Sequence, residues 1–564
     1  MTDTRAALRR SRTLTRGRTK RVAAAVLALG LVALTSGLLV MSGQVTLQTS
    51  TGAAVSSGLN EVATVPANAD QLVNWLPDAW PDEREMEPAS RTRIAASYIR
   101  AWAAIGRFQS TGETPAVIDT FSGAARRAVL ELPSTGPSAT WDLRHSLELE
   151  FYSLDGATVA FQDQGARIAR TVGTGESETV ILSQETYDVV MVLEDGFWRI
   201  RQLKRALGSD DVTVTTAAAG AATITGATPR APLPIPSSRA TEYRPDGWEA
   251  RDPAELAADF TRLRALGFDT IRVPLSFTDL GGTRPTDDAI DGVTTLLEQA
   301  DAHGLRVALV LFDDFPDLTP ATWVGAGAHL TRIATAVRGQ PALVLWDLAD
   351  RPDLRTSGPT SAAEIRAFLV YAGSALREID PETPQTISWA TSATAADPAM
   401  AGLVDGVTLH LTGNEDPAGA IQAVRTAVPD RPVLLTVTGL DTDGGWSPLP
   451  RTEARQVVDV DRVLQAGERA GLSRVSVATF IDTETDAGGL LRRDASAKPA
   501  AALFAASAEP AAVSPPGVLD YARSKFWILM TALFAAAASV LLWVRRRKHT
   551  APARPKTSSE ADGD

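Results

Sequence analysis

Short apolar segments alternate with amphipathic helical segments along the second half of the chain, from about residue 229 to 506. Eight of these segments have the composition of buried strands: 230–237, 270–275, 306–312, 342–348, 385–389, 406–410, 433–437 and 474–480. Alternation of this kind predicts parallel strands joined by crossover helices. Eight such units predict a closed α/β (β/α)8 barrel, the TIM barrel, whose functional residues lie at the carboxyl ends of its strands.

The helical segments begin with capping residues. Asp252 precedes Pro253 and is followed three residues later by Glu255, which is the order of a capping box with proline at the first helical position. Ser361 and Glu364 repeat the spacing. Both patterns predict helices that begin at these residues.

Six segments of this region carry a more specific pattern: RLRALGFDTIRVPLSF, DAHGLRVALVLFDDF, QPALVLWDLADRPD, VDGVTLHL, RPVLLTVTG and GGLLRRDASAKPAAALF. In this order they resemble successive segments of glycoside hydrolase family 5, the cellulase and mannanase group, and its relatives among the retaining barrel glycosidases. The resemblance implies a general acid/base glutamate after the fourth strand, in W-D-L-x-N-E-P. It also implies a nucleophilic glutamate after the seventh strand, in P-V-L-x-T-E-x-G.

This chain departs from the family at both catalytic positions. Residues 346–348 match W-D-L, but the asparagine position holds Asp350, the acid/base position holds Arg351 and the nucleophile position holds Val437. A retaining glycosidase needs two carboxyl groups about 5 to 5.5 Å apart. An arginine stays protonated and a valine has no nucleophilic atom. The substitutions therefore predict a pseudo-glycosidase without confident catalytic residues.

Other residues of the barrel are candidates for a ligand cleft. The resemblance implies that Arg272 supports the nucleophile position and that His410 faces the cleft. The full set of predicted cleft residues is Arg272, Asp313, Asp314, Asp350, Arg351, Trp389, His410, Trp446 and Asp482. Most such acids are ordinary solvated or turn residues, and most such tryptophans are ordinary core residues. Asp350 and Asp441 are weak candidates for a displaced catalytic pair. We expect no cofactor and no metal site.

The first half of the chain has a different pattern. Residues from Arg91 follow a helical period, with Ile94, Tyr98 and Trp102 on one face, and four long strand-like segments follow up to residue 206. Helices followed by a long antiparallel sheet resemble the nuclear transport factor 2-like α+β cone. His145 and Asp142 are its polar interior candidates, and we expect a structural or docking role for it rather than a catalytic one.

Two apolar runs, at 22–42 and 526–544, have the length of membrane-spanning helices. Basic residues flank the terminal side of each, so both termini are predicted to be cytoplasmic and the region between them extracytoplasmic. A cleaved signal peptide is the alternative for the first run. The predicted domain boundaries are 1–21 basic tail, 22–42 membrane helix or signal anchor, 43–89 stalk, 90–206 cone domain, 207–228 linker, 229–508 barrel, 509–524 linker, 525–544 membrane helix and 545–564 tail.

Charge limits the partners of the extracytoplasmic region. The two tails hold 14 of the chain's 55 Lys or Arg and 4 of its 67 Asp or Glu, so 41 and 63 lie between them, a formal net charge of −22. Such a region repels nucleic acid and anionic polymers. We therefore expect a neutral polysaccharide or an envelope protein as partner. Three hypotheses remain: a pseudo-glycosidase that binds a glycan, an active glycosidase or transglycosylase with displaced carboxylates, and an envelope interaction scaffold.

Overall fold

The computed structural model of the protein describes residues 72–80, 84–134, 138–174, 178–208, 211–216, 222–245, 247–248, 252–315, 317–357, 360–412, 415–443, 451–472, 474–484, 486–504, 530 and 533–540. The predicted tails, the first predicted membrane helix, most of the stalk and Trp446 lie outside these residues.

The N-terminal domain is an α+β unit in which helices pack on one long, mostly antiparallel sheet. Its elements are β1 (Val73–Trp75), α1 (Pro88–Thr111), α2 (Pro115–Thr120), α3 (Gly123–Leu130), β2 (Ser138–Tyr152), β3 (Thr158–Val172), β4 (Thr179–Glu194), β5 (Phe197–Gly208), β6 (Val212–Thr216) and β7 (Ala222–Thr225). The sheet order is β1-β2-β3-β4-β6-β7, and β5 also pairs with β4. The predicted apolar face of α1 is buried, with Tyr98 at 0% and Trp102 at 4% exposure, because it packs against the sheet.

Two predicted boundaries of this domain are wrong. β1 lies within the predicted stalk and pairs in parallel with β2. The predicted linker at 207–228 contains β6 and β7, which extend the sheet from the first half of β4. The alanine and glycine runs of this stretch hid two short β-branched segments, VTVTT and ATIT, which have the composition of strands.

The second domain is a closed barrel of eight parallel strands, as predicted. Its elements are β8 (Ser238–Glu242), α4 (Pro253–Ala265), β9 (Thr270–Pro274), α5 (Asp287–Ala302), β10 (Arg306–Phe312), α6 (Trp323–Val337), β11 (Leu343–Asp350), α7 (Ala362–Ile379), β12 (Gln385–Trp389), α8 (Ser392–Ala395), α9 (Pro398–Ala401), β13 (Gly406–Thr412), α10 (Pro417–Ala427), β14 (Val433–Thr438), α11 (Glu453–Ala470) and β15 (Arg474–Val477). The strands pair in chain order, and β15 closes the barrel on β8.

The first barrel strand begins eight residues later than its predicted start at 230, at Ser238. The predicted segment contains three prolines between 230 and 237, and proline cannot donate to a strand ladder. Its apolar signal has another origin. Ile235 packs with Ala308, Leu345 and Leu434 of the barrel strands in a small separate core.

Local capping explains where two helices begin. Asp252 accepts a hydrogen bond from the Ala254 backbone N–H at the start of α4. At α7 both reciprocal bonds of the predicted capping box are present, between Ser361 and Glu364. The N-terminal domain packs against two helices of the barrel: α7 contacts β4 and β6, and α6 contacts β2.

In the described part of the chain, every helix is either too short or too polar to cross a membrane. The predicted span at 22–42 lies outside that part. Of the predicted span at 526–544, only Met530 and residues 533–540 are described, and 533–540 are helical. The two spans therefore stay predictions.

The buried imidazole of His329, on α6, gives a prediction of pH dependence. Its Nδ1 lies 2.7 Å from the Gly282 carbonyl oxygen, and burial lowers its pKa from 6.5 to about 4. Because the unfolded state takes up this proton first, stability is lost as the pH falls from 6.5 towards 4. We expect the wild-type chain to lose about 2 kcal/mol between pH 7 and pH 5 that His329→Gln does not lose.

Urea unfolding of the barrel at the two pH values measures this difference. The matched control is His303→Gln, at the partly exposed C-terminal end of α5. Equal acid sensitivity in wild type and His329→Gln would contradict the assignment of a neutral buried ring.

Candidate functional site

Five barrel strands bring polar side chains together at their carboxyl ends. These side chains, here called the Arg272 cluster, are Glu242 of β8, Arg272 of β9, Asp347 and Asp350 of β11, Ser388 of β12 and His410 of β13. Each of these residues is at most 6% exposed. Parallel strands of a barrel end at the same rim, so residues far apart in sequence meet there. Of the predicted cleft residues, Arg272, Asp350 and His410 lie in this cluster.

Arg272 is the centre of the cluster. Its Nη2 donates to Asp347 Oδ2 at 2.9 Å and to Asp350 Oδ1 at 2.7 Å, and its Nη1 donates to Glu242 Oε2. Ser388 completes the group, because its hydroxyl donates to Asp347 Oδ2 and lies 3.3 Å from Arg272 Nη2. One guanidinium thus binds three buried carboxylates from two strands, which is the fully paired state that a buried charge requires.

The three carboxylates differ in pKa because their surroundings differ. Burial raises the pKa of Asp347 to about 6, although Arg272 opposes the shift. Burial also raises the pKa of Glu242, again against Arg272. For Asp350, burial is the largest single influence and would raise the pKa, but Arg272, His410 and Arg351 together outweigh it and the pKa falls well below its ordinary value. Asp350 is therefore a fixed anion, whereas Asp347 and Glu242 are more readily protonated than ordinary carboxyl groups.

His410 is a neutral ring on the floor of the barrel mouth. Burial lowers its pKa to about 3. Its Nε2 lies 3.3 Å from Asp350 Oδ1 but without the alignment of a hydrogen bond, and neither ring nitrogen has a hydrogen-bond partner among the described residues. The same holds for Asp347 Oδ1 and Thr436 Oγ1. Buried polar atoms of this kind are suited to hydrogen bonding with hydroxyl groups.

Arg351, which the sequence resemblance aligns with an acid/base position, has an uncommon backbone conformation. Its φ is 45°, in the left-handed region that residues other than glycine rarely adopt. The conformation is held by a backbone hydrogen bond to the Ser388 carbonyl oxygen at 2.8 Å and by Nε, which donates to Asp350 Oδ2 at 2.8 Å. The side chain is 39% exposed. Arg351 therefore presents a cation directly after β11, at the carboxyl end of the barrel strands.

Val437, which the sequence resemblance aligns with a nucleophile position, lies on β14. It is fully buried and belongs to the apolar core of the barrel. Its neighbours in the strand register are Leu411 of β13 and Val477 of β15. An apolar strand position of this kind offers no group for attack on a sugar.

A second set of charges surrounds the cluster. Arg244 forms ion pairs with two carboxylates: its Nε lies 2.8 Å from Glu242 Oε1, and its Nη1 lies 2.6 Å from Asp313 Oδ2. Arg355 donates a hydrogen bond to the Asp313 carbonyl oxygen. Asp314, also predicted to lie in the cleft, accepts from the Ser276 hydroxyl at 2.8 Å and stabilises the loop after β9.

The remaining predicted residues lie elsewhere. Trp389 is 2% exposed and packs with the apolar core of the barrel, and its place in a ligand cleft stays a prediction. Asp482 binds Lys498 Nζ at 2.7 Å and the Gly489 backbone N–H, which is a structural contact. Asp441 pairs with Arg451 at 3.1 Å, and Trp446 lies outside the described residues. Among the described residues, no group of three or more metal-ligating side chains is placed to hold a metal.

The sequence analysis missed Glu242, Arg244 and Ser388. Glu242 and Arg244 were overlooked because the first strand was placed too early, and a strand that ends at 242 is the signal that would have found them. Ser388 precedes the predicted Trp389 on β12 and points to no chemistry by itself. Its role follows from Asp347 on the adjacent strand β11, which accepts its hydrogen bond.

Comparisons with known proteins add little to this geometry. No known protein-family model and no curated protein matches the chain. Among solved structures, the chain is similar to a β-D-glucuronidase of Dictyoglomus thermophilum, at 14% identity over 65% of this chain and 68% of that one with a TM-score of 0.37. It is similar to an exo-β-1,4-mannosidase of Opitutaceae bacterium strain TAV5, at 20% identity over 51% and 59%, TM-score 0.39.

A third similar structure is GH5_18 from Streptomyces cattleya in complex with GlcNAc, at 18% identity over 52% of this chain and 88% of that one, TM-score 0.40. The chain spans less than two thirds of the length of the mannosidase. Likenesses at this level carry no argument about activity. The closed ring of eight parallel strands carries the TIM barrel assignment.

Removing the central cation tests the cluster. We expect Arg272→Gln to lower the free energy of unfolding by about 3 to 5 kcal/mol at pH 7, because it leaves buried carboxylates without their partner. The loss should be smaller at pH 5, since Asp347 and Glu242 then become protonated more readily. Urea unfolding at both pH values measures the loss.

The matched control is Arg244→Gln, whose side chain is 49% exposed and whose loss should be about 1 kcal/mol or less. Equal losses in the two variants would show that the barrel does not depend on the buried guanidinium.

Proposed function

We propose that this protein is a membrane-anchored, extracytoplasmic, glycoside hydrolase-like protein that has lost hydrolysis and binds a glycan at the carboxyl ends of its barrel strands. The observation that carries the proposal is the pair of substitutions at the two catalytic positions. Arg351 stands at the acid/base position and the core residue Val437 at the nucleophile position. The barrel scaffold is kept, but the two carboxyl groups of retaining hydrolysis are replaced.

The state of Asp350 supports the loss of activity. Arg272 lowers its pKa, and its two oxygens bind Arg272 and Arg351. A general acid must carry a proton near neutral pH and a nucleophile must reach the sugar. A buried carboxylate paired at both oxygens does neither.

The floor of the barrel mouth supports glycan binding. His410, Thr436 and Asp347 have buried polar atoms without protein partners among the described residues. Because these atoms are buried, a sugar hydroxyl would reach them through a bridging water. The charges of the Arg272 cluster are largely paired with one another, and the region between the tails is acidic. Both features favour a neutral glycan over an anionic one at this position.

One observation favours a second function, hydrolysis with a displaced acid. The pKa of Asp347 is raised to about 6, which is in the range of catalytic acids. Asp347 is poorly accessible to a substrate, however, because it is 2% exposed and its Oδ2 binds Arg272 and Ser388.

The remaining parts of the proposal concern the rest of the chain. The two apolar runs at 22–42 and 526–544 anchor the protein with both termini in the cytoplasm. The N-terminal domain is a nuclear transport factor 2-like cone that docks an envelope partner. Its helix-on-sheet architecture, with α1 packed on β2, is what supports this reading.

Binding and cleavage, measured together, test the proposal. The full chain in lipid nanodiscs is titrated with β-glucan and mannan oligosaccharides while released reducing ends are measured. We expect binding without product release. Arg351→Ala should weaken binding about tenfold, because its exposed head loses charge-assisted hydrogen bonds to sugar oxygens. The control Arg338→Ala lies at the C-terminal end of α6, at the opposite end of the barrel, and should bind as wild type.

Product release that disappears in Asp347→Asn, Asp350→Asn or Asp441→Asn would overturn the pseudo-enzyme and establish a displaced catalytic acid. Absence of both binding and cleavage would reject the glycan site and leave the scaffold hypothesis, for which the N-terminal domain is the surface to test.

A further inference from the structure

A cavity of about 800 Å³ lies between the sheet of the N-terminal domain and the helical outer face of the barrel. Four arginines line it: Arg144 of β2, Arg167 of β3, Arg284 before α5 and Arg332 of α6. Among the described residues that line it, none is acidic. We propose that this cavity binds a small organic oxyanion, a molecule with a phosphate or carboxylate group on a partly apolar body.

The basic character of the cavity is local and does not follow from composition. The chain has a formal net charge of −12, and the region between its tails is more acidic still. An even distribution of charge would place more carboxylates than guanidinium groups around any cavity of this region. Four arginines from two domains converge here instead, which is the local feature that binds anions.

The carboxylates near the cavity compensate these arginines only weakly. Glu378 of α7 is shared by Arg167 and by Arg144, whose Nη1 lies 3.5 Å away, and its side chain is 49% exposed. Arg332 pairs with Asp287, which is 91% exposed. The Arg332–Asp287 pair is exposed on both sides and contributes little, so Asp287 yields readily to an anion that enters the cavity.

Arg167 is the buried member of the group. Its side chain is 12% exposed, and burial, with the nearby Arg144, lowers its pKa. A mostly buried guanidinium beside a second one is unfavourable unless an anion bridges them. In this structure the half-exposed carboxylate of Glu378 bridges Arg167 and Arg144, and an anion in the cavity would compete with it. The forked donors of two arginines match the oxygens of a phosphate or carboxylate.

Tyr371 of α7 adds a hydroxyl donor to the same wall. Its Oη lies against Gly327 of α6, where an added Cβ would approach it to 2.2 Å. Only glycine at this position admits the ring. The threonines Thr283, Thr331 and Thr335 supply further hydroxyls to the lining.

The shape and lining define the class of ligand. Small-molecule sites commonly have volumes of about 300 to 1,000 Å³, and this cavity falls in that range. Val73, Leu143 and Ile290 give it an apolar part, so an organic body accompanies the charged group. The cavity lies on the outer side of α5, α6 and α7 and not at the strand ends, so this proposal stands independently of the proposed function.

Isothermal titration calorimetry of the full chain tests the site with four probes: pyrophosphate, glucose 1-phosphate, glucuronate and, as neutral control, glucose. We expect at least one anion to bind with an affinity that falls at higher salt, and glucose not to bind in this assay. The phosphate and carboxylate probes distinguish the two sources of the oxyanion. Arg167→Gln and the more exposed Arg332→Gln should each weaken binding about tenfold.

Two further variants separate a specific site from general charge effects. Arg201→Gln removes an exposed arginine of the same domain, on β5, and should leave the affinity unchanged. Glu378→Gln removes the competing carboxylate and should tighten anion binding about threefold or more, a gain that no loss of folding produces. The proposal is overturned if no anion binds, if Arg201→Gln weakens binding as much as Arg167→Gln, or if Glu378→Gln fails to tighten it.

Discussion

The buried guanidinium of Arg272 is the interaction on which the end of the barrel depends. It lies on β9 and binds carboxylates from β8 and β11, and the Ser388 hydroxyl links β12 to the same group. A cation at this depth is tolerated only with several anions around it, and the anions are tolerated only with the cation. Replacing a single charged residue of this set would therefore leave the others buried without a partner and destabilise the barrel.

This dependence gives a physical reason for the charges at positions 350 and 351. The resembling family has an uncharged amide followed by an acid, whereas this chain has an acid followed by a base. Asp350 adds a third carboxylate against Arg272, and Arg351 donates to the other oxygen of that carboxylate. A glutamate at 351 would instead place a further anion beside Asp350. The pair at 350 and 351 keeps the floor of the mouth close to electrical balance, because the added carboxylate is matched by an added guanidinium.

The barrel could be predicted because its strands are short apolar runs that alternate with capped helices. Arg272 and His410 were expected from the resemblance to the glycosidase family, and Asp350 from its place after the fourth strand. Prediction from the sequence failed where the local signal had another cause. The apolar residues before β8 form a plug centred on Ile235 rather than a strand, and this error concealed Glu242. Ser388 could not be found, because a serine gains its role only from the aspartate opposite it.

The net charge of this protein and the local charge of its cavities favour different ligands, and each acts at a different step of binding. The acidic surface between the tails acts over about a Debye length and sets which molecules approach. Once a molecule is in contact, short-range hydrogen bonds and desolvation decide whether it stays. At the barrel mouth the charges are paired with one another, and some buried polar atoms have no protein partner among the described residues. The lining of the arginine-lined cavity holds four guanidinium groups and, among the described residues, no carboxylate. An acidic chain is thus able to hold an anion, provided that the anion is small enough to enter where the acidic surface is interrupted.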